Sequence, residues 1–299
     1  MATNGGTALR SLDVGNIMAL EHVNVCIPDQ RLGTYFYVMA LGGTRDPYMM
    51  AVDENMWINF GNQQFHLPNR GTHVIPGHIG LVLDDLGALR GRLAQAEKPL
   101  AKTKFAWAGS KGHVDVTCPW GNHFRAHAPS AAFGDMSIGV PYVEFLVKRG
   151  AAARIGKFYE RVLQAPWSLR RSKDGVAARI SVGASQALVF RETDERLPLE
   201  HPYHVAVYIA NFSAPHAELQ ARELVSRPFN ANPMMRNSSF QYNFKGIVDV
   251  DTGEMLHPLE HEVRSIRHPM YQRPMVNRNQ WQSLGNYVRG ADAAPALPW

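Results

Sequence analysis

Short apolar runs recur four times along the chain, and each is followed by a segment with apolar residues at helical spacing. Runs of four to eight β-branched and apolar residues are typical of buried strands, and apolar residues three and four apart are typical of amphipathic helices. The runs begin at Leu20, Gly77, Tyr142 and Tyr203. We predict a strand over each run and helices near 30–41, 86–96, 151–163 and 214–224. Asp29, Asp85 and Ser213 stand where N-caps of the first, second and fourth helices belong.

Two or three further short apolar runs follow each predicted helix. They lie at 48–52, 56–60 and 63–67, at 103–108, 114–117 and 123–126, at 167–171, 177–182 and 186–190, and at 240–244, 246–249 and 254–259. Each repeat is therefore a βαβββ module of roughly 50–65 residues. Such a curved module leaves the inner face of its sheet uncovered, so two modules must pair to bury it. We predict an α+β fold in which four βαβββ modules pair into two half-barrel domains.

Consecutive modules are expected to share a domain. We divide the chain into an N-terminal tail (1–17), a first domain of two modules (18–135), a second domain of two modules (139–268) and a C-terminal extension (269–299). The extension is rich in Pro, Arg and Asn and has weak periodicity. We expect it to wrap the surface or to contact a partner chain.

Composition excludes several classes of protein. The 299 residues are 45% hydrophobic, which is enough for a sizeable core and excludes bulk disorder. The net charge is +5, but Lys and Arg are scattered among acidic residues, so we predict no nucleic-acid binding. No apolar run approaches the roughly 18–20 residues of a membrane span, and the N-terminus lacks an apolar signal core. With only two cysteines and no disulfide framework, a cytoplasmic protein is expected.

The repeats carry a resemblance to a known superfamily. Strand–helix repeats that begin with a histidine, and the sequence Pro-Trp-Gly-Asn at 119–122 before a fourth strand, resemble the vicinal oxygen chelate superfamily. This group includes glyoxalase I, the bleomycin-resistance proteins and the type I extradiol ring-cleaving dioxygenases. The resemblance covers most of residues 18–265. It implies a pocket inside each pair of modules, with metal ligands supplied by the first and fourth strands of a module.

Mapping these implied positions onto the chain gives two candidate metal sites. The C-terminal pocket offers Glu144, His204 and His257, and the N-terminal pocket offers His22, His66 and His78. Two histidines and a carboxylate resemble the facial triad of non-haem Fe(II) oxygenases. Extradiol dioxygenases have the chain order His, His, Glu, whereas this set has Glu first. We favour the C-terminal pocket because a carboxylate offsets the charge of a divalent ion.

The register of the last predicted strand leaves an alternative open. His257 faces the pocket in one register, whereas a slip of one residue brings Glu260 inward instead. Pro258 makes a bulge or an edge position plausible at this point. For catalysis, Tyr242 and His201 lie where a ring-cleaving enzyme could use a proton donor and acceptor, although a strand tyrosine is more often a packing residue. Arg125 stands where the superfamily has a glutamate and could clamp a substrate carboxylate or enolate.

Three functions follow from the resemblance. The first, which we favour, is an Fe(II) ring-cleaving dioxygenase acting on a small catechol-like aromatic substrate. The second is a glyoxalase-type isomerase, lyase or epimerase that uses Mn, Zn, Ni or Co and works through an enediolate. The third is a metal-free protein that encloses a small aromatic molecule. In each case the partner is a small molecule, and related folds suggest a homodimer or higher homo-oligomer.

Overall fold

The computed structural model describes residues 13–47, 54–173, 175–198, 203–228 and 240–277. All four predicted modules are present in these ranges, and the fold is α+β as predicted. The predicted strand at 48–52 lies outside the described residues. No helix in the described part of the chain has the length and apolar character needed to cross a membrane.

The first two modules have the following elements. The first holds β1 (Ile17–Asn24), α1 (Gln30–Gly33) with a π-helical continuation (Thr34–Ala40), β2 (Thr44–Arg45), β3 (Asn55–Phe60) and β4 (Gln63–Pro68). The second holds β5 (Gly77–Val82), α2 (Leu86–Leu100), β6 (Ala106–Gly109), β7 (His113–Thr117) and β8 (His123–His127). Two predicted N-caps are confirmed, because Asp29 accepts from Leu32 N at 2.9 Å and Asp85 accepts from Ala88 N at 2.8 Å. The third is wrong, since Ser213 is the first helical residue of the fourth module and Phe212 is its N-cap.

The third module is regular, whereas the fourth contains an additional hairpin. The third holds β9 (Gly139–Lys148), α3 (Ala152–Leu163), β10 (Trp167–Ser172), β11 (Gly175–Ser181) and β12 (Ala187–Thr193). The fourth holds β13 (His204–Ile209), α4 (Ser213–Ala221), β14 (Val225–Arg227), β15 (Gln241–Phe244), β16 (Ile247–Val248), β17 (Met255–His257) and β18 (Glu260–Ser265). Pro258 has no N–H to donate to a ladder and lies between β17 and β18. The single strand expected at 254–259 is therefore two strands.

The strands form two mixed eight-stranded sheets and one small hairpin. The first sheet has the order β14-β15-β18-β13-β1-β4-β3-β2 and the second has the order β10-β11-β12-β9-β5-β8-β7-β6. Each sheet thus combines strands of the first and fourth modules, or of the second and third. This is an order of strands within sheets, and the domain boundaries expected from the sequence stay a prediction. All four modules have the same apolar pattern, and that pattern does not specify which module pairs with which.

Packing contacts divide the chain in a different way from the sheets, into two compact units. One unit is built mainly from 21–143 and the other mainly from 144–198 and 205–271. In the first of these units, the core is a cluster of aromatic rings with centroids 4.9–5.9 Å apart. Phe36 and Tyr37 from the π-helical segment pack on Phe65 of β4 and Phe124 of β8. Burying each ring contributes about 1.5–3 kcal/mol to the free energy of unfolding.

The second unit is organised around α3. This helix buries one apolar face, and a Cβ atom at Gly156 would lie only 2.1 Å from the ring of Trp167. Glycine at this position therefore permits the close packing of the helix on β10. The hydroxyl of Tyr159, also on α3, lies 2.6 Å from Nε2 of His261 on β18. This polar contact fixes β18 against the helix within the core.

The last described residues, 272–277, lie against the first module. The side chain of Asn277 bonds the backbone N and O of Gly61, each at 3.2 Å. Asn59 donates to the carbonyl of Val276 at 2.8 Å. Arg273 donates to the buried carboxylate of Asp46 at 2.7 Å. The remainder of the predicted extension, 278–299, lies outside the described residues.

Candidate metal centre

Three potential metal ligands converge on neighbouring strands of the first sheet. His22 of β1, His204 of β13 and Glu262 of β18 have ligand atoms that all lie within 4.8 Å of one another. The strand order β18-β13-β1 brings together positions that are far apart in the sequence. Within the described ranges, no other three His, Cys, Asp or Glu side chains come this close.

His22 is held by the residue before it. Its Nδ1 atom lies 2.7 Å from Oε2 of Glu21, and both side chains are buried. A carboxylate only accepts hydrogen bonds, so Nδ1 carries the proton and Nε2 holds the lone pair. That Nε2 atom lies 3.3 Å from Nε2 of His204. Glu21 therefore presents the unprotonated nitrogen of His22 to the cluster.

A stack of aromatic rings packs against the ring of His22. The His22 ring lies 3.6 Å from the His66 ring, and His66 lies 4.0 Å from Trp57 in a nearly parallel stack. Nε2 of His66 lies 3.1 Å from Oε1 of Gln64, whose amide donates to Asn59 at 2.6 Å. His66 is thus a support for the His22 ring and is not a member of the ligand cluster.

Glu262 is oriented by Arg264, two residues further along the same face of β18. The Nε atom of Arg264 donates to Oε1 of Glu262 at 2.6 Å, and both side chains are almost fully buried. Arg264 also lies over the ring of Tyr208, with its guanidinium carbon 5.9 Å from the ring centroid. The guanidinium fixes the direction of the carboxylate and offsets its charge.

The donor set fits a divalent cation. Two nitrogen ligands at about 2.1 Å from one ion lie roughly 3.0–3.4 Å apart at octahedral to tetrahedral angles. The 3.3 Å separation of the two Nε2 atoms agrees with this range. A carboxylate within 4.8 Å of both supplies the negative charge. Two imidazoles and one carboxylate also leave coordination positions open for substrate.

The structure does not bring the favoured ligand set together. Of Glu144, His204 and His257, only His204 lies in the cluster. Glu144 accepts two hydrogen bonds from Arg191, each 2.9 Å long. His257 lies in the β16–β17 hairpin with its ring 5.7 Å from Phe145 and 5.9 Å from Phe190. The bidentate ion pair and the apolar surroundings explain why these two residues take other roles.

The alternative set, His22, His66 and His78, is also divided. His22 belongs to the cluster, His66 stacks behind it, and His78 lies on β5 of the other sheet. There Nε2 of His78 is 3.2 Å from the hydroxyl of Tyr142. Arg125 lies on the same second sheet, where its Nε donates to Asp115 at 2.7 Å.

The two predicted proton-transfer residues have different outcomes. His201 lies outside the described residues. Tyr242 is fully buried on β15, where its ring packs against Phe212 and His216, and its hydroxyl has no hydrogen-bond partner among the described residues. Burial raises the pKa of Tyr242 far above its ordinary value. Since Tyr242 pairs with Val263 and not with Glu262, it projects away from the cluster.

Glu262 is a member of the candidate cluster that the sequence did not predict as a metal ligand. The strand expected at 254–259 presents His257 to the pocket, but in the structure the β16–β17 hairpin takes these residues and β18 begins at Glu260. In β18, Glu260, Glu262 and Arg264 alternate with His261 and Val263, which face the core. The sequence signal that could have found Glu262 is the alternation of side chains after Pro258, because it places three charged residues on one face of a strand.

Comparisons with known proteins agree with this architecture. No family model and no curated protein matches the sequence. Glyoxalase I from Zea mays is similar in structure, with 18% identity, a TM-score of 0.56, and coverage of 82% of this chain and 92% of that chain. A candidate dioxygenase from Bacillus subtilis has 11% identity, a TM-score of 0.51, and coverage of 84% and 86%. At these identities the likeness shows the fold alone, which is the glyoxalase-like fold that the resemblance implied.

Proposed function

We propose that this chain, which has the vicinal oxygen chelate fold, is a metal-dependent enzyme whose ligands are His22, His204 and Glu262. The ion that we favour is Fe(II), and the reaction is extradiol-type ring cleavage of a small catechol-like substrate. The observation that carries the proposal is the convergence of two imidazoles and one carboxylate. This ligand set is typical of non-haem Fe(II) oxygenases.

The order of the ligands supports the same function. The resemblance to extradiol dioxygenases implied ligands in the order His, His, Glu. The set inferred from the sequence had Glu144 first, whereas the cluster in the structure has Glu262 last. The ligands His22, His204 and Glu262 therefore follow the order His, His, Glu that the resemblance implies.

A bound divalent ion would supply Lewis acidity, which lowers the pKa of vicinal hydroxyl groups, and open positions for substrate and O₂. The chain's own residues prepare the site for it. Glu21 keeps the lone pair of His22 on Nε2, and the ring of His66 restricts rotation of His22. Arg264 holds Glu262 in one orientation. These outer contacts fix the three donors before a ligand arrives.

A second candidate is a glyoxalase-type isomerase or lyase that works through an enediolate. The structural similarity to glyoxalase I at a TM-score of 0.56 favours it. Imidazole and carboxylate ligands also suit Zn, Ni, Mn and Co. The two candidates differ in one measurable respect, since only the oxygenase consumes O₂.

The test is metal analysis of anaerobically purified protein, followed by assays of O₂ uptake on a panel of catechols. Wild type is compared with His204→Ala and Glu262→Gln. Glu260→Gln is the matched control, because Glu260 lies on the same strand and accepts from Asn243 at 2.8 Å. We expect about one iron per chain in wild type and the control, and loss of most of it in the two ligand variants.

Other results separate the candidates. One Zn, Ni, Mn or Co per chain, with metal-restored activity but no O₂ uptake, would favour the isomerase or lyase. Metal-free wild type, together with failure to bind any of these ions on titration, would overturn the proposed centre. Equal metal content in wild type and Glu262→Gln would remove Glu262 from the ligand set.

A further inference from the structure

A polar cleft lies on the sheet formed by β5, β6, β7 and β8, and its lining includes none of the proposed metal ligands. Its volume is about 400 Å³, and its lining includes Ala106, Ala108, Thr117, His123 and Arg125. Small-molecule sites commonly have volumes of roughly 300–1,000 Å³. His78 and Asp115 complete its polar lining. The proposed function uses none of these residues.

The strand register explains why one face of this sheet is polar. Asp115 pairs with Arg125, Thr117 pairs with His123, and residues paired across neighbouring strands project to the same face. Val116 and Phe124 alternate with them and are buried on the opposite face. The two alanines of β6 leave space at the edge of the polar face. The sheet therefore presents side chains that can hydrogen-bond to a small ligand in this space.

Cationic and neutral donors predominate on this face. Arg125 and the four histidines His78, His113, His123 and His127 accompany a single carboxylate, Asp115. Asp115 accepts from Nε of Arg125 at 2.7 Å and lies 3.2 Å from Nε2 of His113.

The local field agrees with this composition. The pKa of His127 is lowered to about 4, first by burial and then by the charges of His113, Arg125 and His78, which outweigh the opposing charge of Asp115. The hydroxyl of Tyr142 lies 3.0 Å from Nε2 of His127 and 3.2 Å from Nε2 of His78, so it links these two rings. A positive field with oriented donors favours an anion.

We propose that this cleft binds a small oxyanion, a carboxylate or phosphate group, anchored by Arg125 with His78, His123 and Thr117 as further hydrogen-bonding groups. Planar oxyanions and phosphates suit a guanidinium because its donors form a fork. The site is separate from the proposed metal centre and does not depend on it.

Isothermal titration calorimetry of the full chain in carboxylate-free buffer tests the proposal, with sodium phosphate and sodium acetate as probes. We expect saturable binding of at least one probe and a loss of about tenfold or more in affinity for Arg125→Gln. Arg149→Gln is the matched control, since Arg149 forms a similar pair with Asp194 on the exposed surface. It should bind as wild type does.

Two further variants keep the result interpretable. Ala108→Phe fills the cleft without changing its charge and should also weaken binding. His204→Ala should leave it unchanged, because His204 is not in the cleft. Which probe binds more tightly identifies phosphate or carboxylate as the ligand group. Absence of saturable binding of both probes, or equal affinity in wild type and in an Arg125→Gln protein that folds normally, would overturn the proposal.

Discussion

Nδ1 of His22 lies 2.7 Å from the carboxylate of Glu21, the residue immediately before it in β1. A carboxylate behind a ligand histidine fixes the ring's tautomer and raises its basicity. Because both side chains are buried, no solvent competes with this bond. The pair therefore makes Glu21 a positioning residue of the proposed metal centre.

Glu21→Gln should weaken metal binding without abolishing it. Loss of the charged acceptor lowers the basicity of His22, and changes of this kind typically cost about 10–100-fold in metal affinity. Titration against a competing chelator measures the effect, with the exposed carboxylate variant Glu54→Gln as control. An affinity equal to wild type would show that the bond serves folding alone.

His66→Phe should retain the metal. The substituted ring can still stack on His22 and Trp57, so the support for the ligand is kept. The lost bond to Gln64 should lower the free energy of unfolding by about 1–3 kcal/mol. Metal content and urea denaturation measured on the same preparation separate the two effects. Loss of metal with little change in stability would instead make His66 a ligand.

Glu144→Gln should lower stability and leave metal content unchanged. The substitution removes the charged acceptor of the two hydrogen bonds that Arg191 donates. The expected cost is roughly 1–3 kcal/mol, because Arg191 is partly exposed. Metal analysis beside Glu262→Gln provides the comparison. If Glu144→Gln loses the metal and Glu262→Gln keeps it, the assignment of the carboxylate ligand is wrong.

Stability should fall between pH 6.5 and about 4 through His127. Its pKa in the folded protein is about 4, so in this window the unfolded chain binds a proton that the folded chain does not. Stability from this group is complete above pH 6.5 and is lost as the pH falls towards 4. Urea denaturation at pH 4.5 and 7 should show a smaller pH effect in His127→Phe than in wild type. Equal pH effects would contradict this prediction, and NMR titration of the His127 ring checks the pKa directly.

The sequence predicted individual elements better than their assembly. Each module's first strand and helix were found, because periodicity and caps such as Asp85 are local signals. His22 and His204 were both selected as first-strand positions. Their meeting was not predicted, since it depends on β1 and β13 being neighbours in one sheet. No local pattern specifies that pairing.

The carboxylate was missed for a different reason. An additional hairpin in the fourth module moved the last strand by several residues, and Pro258 ended the run from which the register was counted. Of the two residues considered at this strand, His257 and Glu260, neither is in the cluster, and Glu262 is one strand period beyond Glu260. Once the start of the strand is known, side-chain alternation places Glu262 on the same face as Glu260.

The distance between His22 and His204 along the chain, 182 residues, has a consequence for biosynthesis. A chain emerging from the ribosome presents its first ligand long before the second exists. Metal capture at the proposed centre must therefore wait until the chain has been made at least as far as Glu262. Contacts of such long sequence separation form late and slow folding. A bound ion would then mark those chains in which β18 has joined β13 and β1 in the sheet.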